Sequence, residues 1–298
     1  MTTLEPEVPL IFDCAGAQLL GILHRGAADA QRAVIVVVGG PQYRVGSHRQ
    51  FVLLARHLAA AGIPTLRFDY RGMGDSEGDP RSFETIQHDI AAAIDCLFHQ
   101  LPTLRQVVLW GLCDAASASA LYARGDHRVA GLVLLNPWVR TPGGEAEAYL
   151  RHYYTQRILS RDFWLKLLRG GVRFRDSLRA LSGFIRSAAG KVPLAESPEP
   201  RADRVAASDP PSRPGMDLPQ RMLRNLGEFR GQVLLILSGK DLIASEFTDL
   251  FRAVPAWSEW LHRKTVVRRD ITDADHTFSC ETWRAQVDDA TLAWLGSL

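Results

Sequence analysis

Three side chains far apart in the sequence have the types and the order to act as nucleophile, acid and base. Cys113 closes the tripeptide Gly111-Leu112-Cys113, directly after the apolar run Val107-Val108-Leu109-Trp110 and before a small-residue helical pattern, Ala115 to Ala120. Strand, sharp turn and helix is the local context that displays a nucleophile on a strained backbone. There the N–H groups and dipole of the following helix favour a thiolate. The flanking positions must be small because neighbouring strands crowd such a turn. Gly111 meets that demand, and Ala115 departs mildly from the usual second glycine. The competing reading makes Cys113 a small buried core residue, the common fate of a free cysteine.

An acid and a histidine should follow the cysteine, in that order. Ser238-Gly239-Lys240-Asp241 comes just beyond the apolar run Gln232–Leu237, and Asp241 could hold an imidazole in one tautomer and stabilise its charged form. Asp241 could instead simply cap the next helix, and Glu246 is a weaker alternative acid. His276, in Asp273-Ala274-Asp275-His276-Thr277-Phe278, is the natural general base on the last loop, although a lone loop histidine is usually just solvated. The order Cys113, Asp241, His276, each after its own strand, is what joins them. An oxyanion hole would use the N–H of Asp114 and one from Gly39-Gly40-Pro41-Gln42. Pro41 has no N–H, so Gln42 is the better second donor, with Gly40 left open.

The elements that must position these groups are legible from periodicity. After an extended stretch near Leu10–Phe12, β-rich runs recur at Leu19–Leu23, Ala33–Val38, Thr65–Phe68, Gln106–Trp110, Gly131–Leu135, Gln232–Leu237 and Thr265–Arg269. From Ala33 onward they are continuous apolar runs, the mark of a parallel sheet covered on both faces. Ile86, Ile90, Ile94 and Leu97 form one helical stripe with Ser82 available as N-cap, and a last helix is expected over about Thr282–Leu295. Alternation at this rhythm gives an α/β doubly wound sheet.

The rhythm breaks after Leu135. Residues 1–138 read as the first part of the core and 231–298 as the second, with 139–230 inserted as a helical lid. Its Pro-rich flexible return lies at about 190–219, where Pro193 to Pro219 holds seven prolines in 27 residues. Between Arg140 and Lys191 there are eleven Lys/Arg against four Asp/Glu, in a segment rich in aromatic residues. That segment suits an anionic handle such as acyl-coenzyme A or an acyl-carrier protein, unless the arginines are only a solvated helix face.

The whole chain has 298 residues, 46% of them apolar, and a formal net charge of +2, which gives no ground for a nucleic-acid partner. No apolar run approaches the roughly 20 residues that cross a bilayer, and the N-terminus lacks the pattern of a signal peptide. Cys14, Cys96, Cys113 and Cys280 are scattered without a C-x-x-C pair, so neither zinc nor a disulfide framework is indicated and a cytoplasmic protein is expected. Asp69-Tyr70-Arg71-Gly72-Met73-Gly74-Asp75-Ser76 forms a tight polar loop but lacks the third glycine of a dinucleotide fingerprint, and no cofactor is expected. His48 and Arg49, near the expected mouth of the pocket, suit a solvated helix start better than a site.

These residues resemble the α/β-hydrolase superfamily over nearly the whole chain, which implies an α/β-hydrolase fold with a mostly parallel eight-stranded sheet. Asp69 to Ser76 is a frequent superfamily feature. The cysteine is similar to that of dienelactone hydrolases, whose Gly-x-Cys-x-Gly is only partly matched. A closer resemblance, to hydrolase family 1 of exosortase A systems, rests on Val38–Gln50, Trp110–Ser117 and Leu135–Arg140. It implies bacteria that make exopolysaccharide and sort surface proteins, and supplies no substrate. Three functions compete: an acyl hydrolase working on an ester or thioester, an acyltransferase using the same S-acyl enzyme, and a non-catalytic scaffold on the retained fold.

Overall fold

Valine, leucine and isoleucine runs pair into one eight-stranded sheet. The computed structural model describes residues 7–40, 42–139 and 216–298. β1 (Glu7–Cys14) and β2 (Ala17–His24) form an antiparallel hairpin whose two turn residues, Ala15 and Gly16, both have positive φ, the geometry that suits the strand twist. β2 pairs antiparallel with β4 (Thr65–Phe68), and β3 (Arg32–Val37) pairs parallel with β4. Parallel pairing continues through β5 (Gln106–Leu112), β6 (Val129–Leu135), β7 (Gln232–Ser238) and β8 (Val266–Ile271). The order across the sheet is β1-β2-β4-β3-β5-β6-β7-β8. All eight strands expected from the sequence are present.

The continuous apolar strands divide their side chains between two cores. On β3, Ala33, Ile35 and Val37 pack with α2 (Gln87–Gln100) and α3 (Asp114–Tyr122), while Val34 and Val36 join the cluster of α1 (Gln50–Ala60) on the other face. β5 alternates likewise, with Val107 and Leu109 on one side and Val108 and Trp110 on the other. Burying strands on both faces is why the two-residue period is invisible in the sequence.

Two helix starts differ from expectation. Ser82 does cap, but its Oγ accepts the N–H of Glu84 at 3.3 Å and so closes a separate short turn, Phe83–Thr85. α2 begins after that turn, still burying Ile90, Ile94 and Leu97. Pro219, read as part of a flexible return, lies in the first turn of α4 (Leu218–Glu228), where its missing N–H costs nothing. Asp217 and Gln220 form a reciprocal capping box there, and Leu218, Met222 and Leu226 bury into the core. The remainder of the expected lid, residues 140–215, lies outside the described residues. α5 (Leu242–Ala253), α6 (Pro255–Leu261) and α7 (Glu281–Leu295) complete the described helices.

β3 lies between β4 and β5, so the strand order reverses at its carboxyl end. Open α/β sheets leave a crevice at such a point. Parallel register pairs Val37 with Gly111, which brings the Gly39-Gly40 turn beside the Cys113 turn. That crevice is where the chemistry-bearing residues meet.

Candidate active site

Cys113 has φ +62° and ψ −123°, a conformation that L-residues rarely adopt. Such a backbone costs about 1–3 kcal/mol and persists only when its surroundings over-determine it. Here they do. The Cys113 N–H donates to the Leu135 carbonyl at 2.9 Å, and the Cys113 carbonyl accepts from the N–H groups of Ala116 (3.1 Å) and Trp138 (3.2 Å). Ser117 Oγ donates to the Trp138 carbonyl at 2.6 Å and ties the β6 loop to the same turn. A Cβ at Gly111 would lie 2.6 Å from the Ala115 carbonyl group, so that position has no room for a side chain. Ala115 is itself fully buried against the turn. Its methyl fits where a glycine is usual.

Asp241 and His276 come from the loops after β7 and β8, and the structure brings them into contact. His276 Nδ1 and Asp241 Oδ2 are 2.8 Å apart. Cys113 is the second side chain whose interaction with the imidazole favours its charged form. Burial works against protonation of His276, but the hydrogen bonds and charges of Asp241 and Cys113 outweigh it and push the imidazole up to about 10. The arrangement therefore favours an imidazolium held by the Asp241 carboxylate. Asp241 also caps α5, its two oxygens accepting the N–H groups of Ile243 and Ala244, each at 3.1 Å. One carboxylate makes both sets of contacts, capping a helix and hydrogen-bonding the histidine. Glu246 is not a partner of the His276 Nδ1, which is taken by Asp241.

The candidate oxyanion donors separate more clearly in space than in sequence. The Asp114 carboxylate reaches across the crevice and accepts the Gly40 N–H at 2.8 Å and the Ala115 N–H at 3.0 Å. Burial pushes this carboxyl up, against the lowering effect of those N–H groups. Gly40 thus spends its N–H on Asp114. Gln42 N–H makes no hydrogen bond to another described residue, and the Gln42 side chain accepts weakly from Ser47 N–H at 3.4 Å. A Cβ at Gly39 would fall 2.0 Å from Asp114 Oδ1, so Gly39 is required by the space that carboxylate fills.

Next to Gln42, Arg44 is fixed through both backbone groups. Its N–H donates to Asp69 Oδ1 at 2.6 Å, and its carbonyl accepts from Arg67 Nη1 at 2.6 Å. Its guanidinium pairs with Asp69 and, at 2.7 Å, with Asp75. Asp69 is fully buried and also accepts the Asp75 N–H at 3.2 Å, so the polar loop Asp69–Ser76 anchors the Gln42 loop besides bonding to itself. His48 and Arg49 are exposed and both have positive φ, at the short turn Ser47–Arg49 that precedes α1. Among the described residues no group of His, Cys, Asp and Glu is arranged to hold a metal ion, and no helix is long and apolar enough to cross a membrane.

The alpha/beta hydrolase family pattern matches residues 34–290, a span that contains Cys113, Asp241 and His276. The chain belongs to the alpha/beta hydrolase family. Its curated relatives include a polyketide transferase, grgF of a Penicillium species, 30% identical over 94 residues, covering 30% of this chain and 32% of the relative. The quorum-quenching protein AidA of Acinetobacter baumannii is 30% identical over 142 residues, covering 45% of each. The chain thus matches less than half the length of either relative. Among solved structures, Est1E from Butyrivibrio proteoclasticus with bound ferulic acid shares the fold with a TM-score of 0.59 at 16% identity, covering 97% of this chain and 98% of that one.

Sequence reasoning did not reach two of these features. The Arg44–Asp69 clamp joins loops 25 residues apart through a side chain whose reach no spacing rule encodes. Asn136, in Leu135-Asn136-Pro137-Trp138, bonds to the His276 backbone. An asparagine just before a proline at a strand end was the available signal for a specialised turn.

Proposed function

We propose that this protein is a cysteine-dependent acyl hydrolase acting on ester or thioester bonds, with Cys113 as nucleophile, His276 as base and acid, and Asp241 as its partner. The observation that carries the reading is the position of His276, hydrogen-bonded to Asp241 at 2.8 Å and acted on by Cys113, which sits on a turn with φ +62°. Before the first step the proton of the Cys113–His276 pair already lies on the imidazole, and in that step the Cys113 sulfur attacks the acyl carbonyl. The negative oxygen that forms is held by the N–H groups of Asp114 and Gln42. Collapse breaks the bond to the leaving group, which departs with the proton from His276. Water, deprotonated by His276, then attacks the S-acyl carbonyl, and collapse releases the carboxylic acid and frees the Cys113 sulfur while His276 keeps the proton taken from water.

The substrate class is suggested by the composition of the inserted segment. The basic, aromatic segment 140–191 suits an acyl group carrying an anionic handle, as on coenzyme A or an acyl-carrier protein. The likeness of the Val38–Gln50, Trp110–Ser117 and Leu135–Arg140 stretches to the exosortase-associated hydrolases adds a setting, exopolysaccharide-linked metabolism in the cytoplasm. A second reading, acyl transfer, gains from the polyketide transferase among the relatives. The same S-acyl enzyme would then pass its acyl group to a hydroxyl or amine in place of water.

A panel of short- and long-chain thioesters and matched esters, assayed with the intact protein and Cys113→Ala, tests the proposal. Release of free acid by the intact protein, lost in the variant, supports hydrolysis. Appearance of a new ester or amide only when an alcohol or amine is added supports transfer. Equal activity in both proteins contradicts the nucleophile assignment.

A further inference from the structure

Asn136 stands where β6 ends, fully buried, with φ +42°. Asparagine tolerates this left-handed conformation better than most side chains. Its backbone N–H donates to the Ile236 carbonyl at 3.1 Å. Its side chain then spans three neighbouring elements. Oδ1 accepts the Ser238 N–H at 2.9 Å, while Nδ2 donates to Ser238 Oγ at 2.8 Å and to the His276 carbonyl at 3.1 Å.

The connections matter because acid and base lie on different loops. Ser238 is the last residue of β7, three positions before Asp241, and His276 belongs to the loop after β8. One amide thus fixes the backbone leading to Asp241 and the backbone of His276 to a common point. An amide is the group that serves here. It supplies an acceptor for one N–H together with two donors for a hydroxyl and a carbonyl. A carboxylate would lose both donors, and an apolar side chain would leave the Ser238 N–H and His276 carbonyl without this partner.

We infer that Asn136 is a positioning residue for the acid–base pair, setting through Ser238 and the His276 carbonyl the separation at which Asp241 and His276 meet. The inference rests on the proposed triad, and it assigns a role to the Leu-Asn-Pro-Trp stretch that the chemistry itself leaves unused. Among the described residues, Asp241, Cys113 and Asp114 are ionisable groups whose charges act on or respond to His276.

The test is an NMR titration of the His276 ring in the Cys113→Ala background, which removes the thiol's own titration, with and without Asn136→Ala. Loosening the pair is expected to lower the His276 midpoint by about one pH unit, a tenfold change in proton affinity. In the protein with Cys113 intact, Asn136→Ala should lower kcat on an acyl thioester about a hundredfold and leave KM within twofold. An unchanged midpoint in folded Asn136→Ala overturns the inference, whatever happens to activity. If Asn136→Ala does not fold, Ser238→Ala decides: it deletes one anchor of the amide, a lowered midpoint supports the role, and an unchanged midpoint overturns it. A shifted midpoint in a protein that turns over no acyl substrate would leave the positioning intact and sink the proposed function.

Discussion

Asp241 makes two sets of contacts with one carboxylate, and a pair of substitutions should separate what each does. Its oxygens accept the N–H groups of Ile243 and Ala244, each at 3.1 Å, and Oδ2 also meets His276 Nδ1 at 2.8 Å. Serine is a strong N-cap but too short to carry a carboxylate to the imidazole. Asp241→Ser should therefore keep most of the α5 cap, while Asp241→Ala loses it, at about 1 kcal/mol. Both lose the group that fixes the histidine tautomer, which in comparable triads costs on the order of ten-thousandfold in kcat. At 1.36 kcal/mol per decade that is roughly 5 kcal/mol of transition-state stabilisation. Urea unfolding and steady-state kinetics on a thioester measure the two losses separately. The expected outcome is two variants with equal, deep losses of kcat and unequal stabilities, Asp241→Ala lying below Asp241→Ser. Near-normal turnover by Asp241→Ser would refute the reasoning and redirect attention to Glu246.

His276 should couple stability to pH. Its value in the folded protein, about 10, lies above its ordinary 6.5, so it adds stability that is full below the unfolded value and lost as pH rises through the folded one. Urea midpoints of the intact protein and His276→Gln should thus differ most near pH 6 and converge by about pH 10; a gap that widens with pH contradicts this sign. Asp69→Ala removes the buried partner of Arg44 and should cost about 3 kcal/mol, read by urea unfolding, because a mostly buried guanidinium is left short of its counter-charge. A loss under 1 kcal/mol would show that the clamp carries little. Gly39→Ala places a methyl 2.0 Å from Asp114 Oδ1 and 2.7 Å from the Ala115 nitrogen, so turnover should fall at least tenfold with a lowered melting temperature. Normal kinetics there would mean the crevice is more yielding than its contacts imply.

The strands and the order of the site residues were legible because both are written locally. Apolar runs such as Val34–Val38 and Val107–Trp110 announce strands whichever face each residue takes, and Cys113, Asp241 and His276 each follow such a run. What stayed hidden depends on side chains meeting across the sheet. Asn136 reaches Ser238, 102 residues away, and the Asp114 carboxylate reaches Gly40, 74 residues away, and neither partner leaves a trace in local pattern. Asp241 was weighed as a cap or as an acid because a sequence cannot show that one carboxylate reaches both the α5 N–H groups and His276. Pro219 misled for a different reason. A proline marks the end of a helix or its first turn with equal force, and the Asp217/Gln220 capping box decides for the first turn.

The central claim is that the reaction passes through a bond to Cys113. It is tested most directly by mixing the protein with an acyl thioester, quenching in acid within the first turnover, and measuring intact mass followed by peptide mapping. A mass increase equal to the acyl group is expected, located on Cys113, absent in Cys113→Ala and slow to form in His276→Ala. Release of acid at the same rate by Cys113→Ala, or turnover with the acyl group trapped on another side chain, would contradict it.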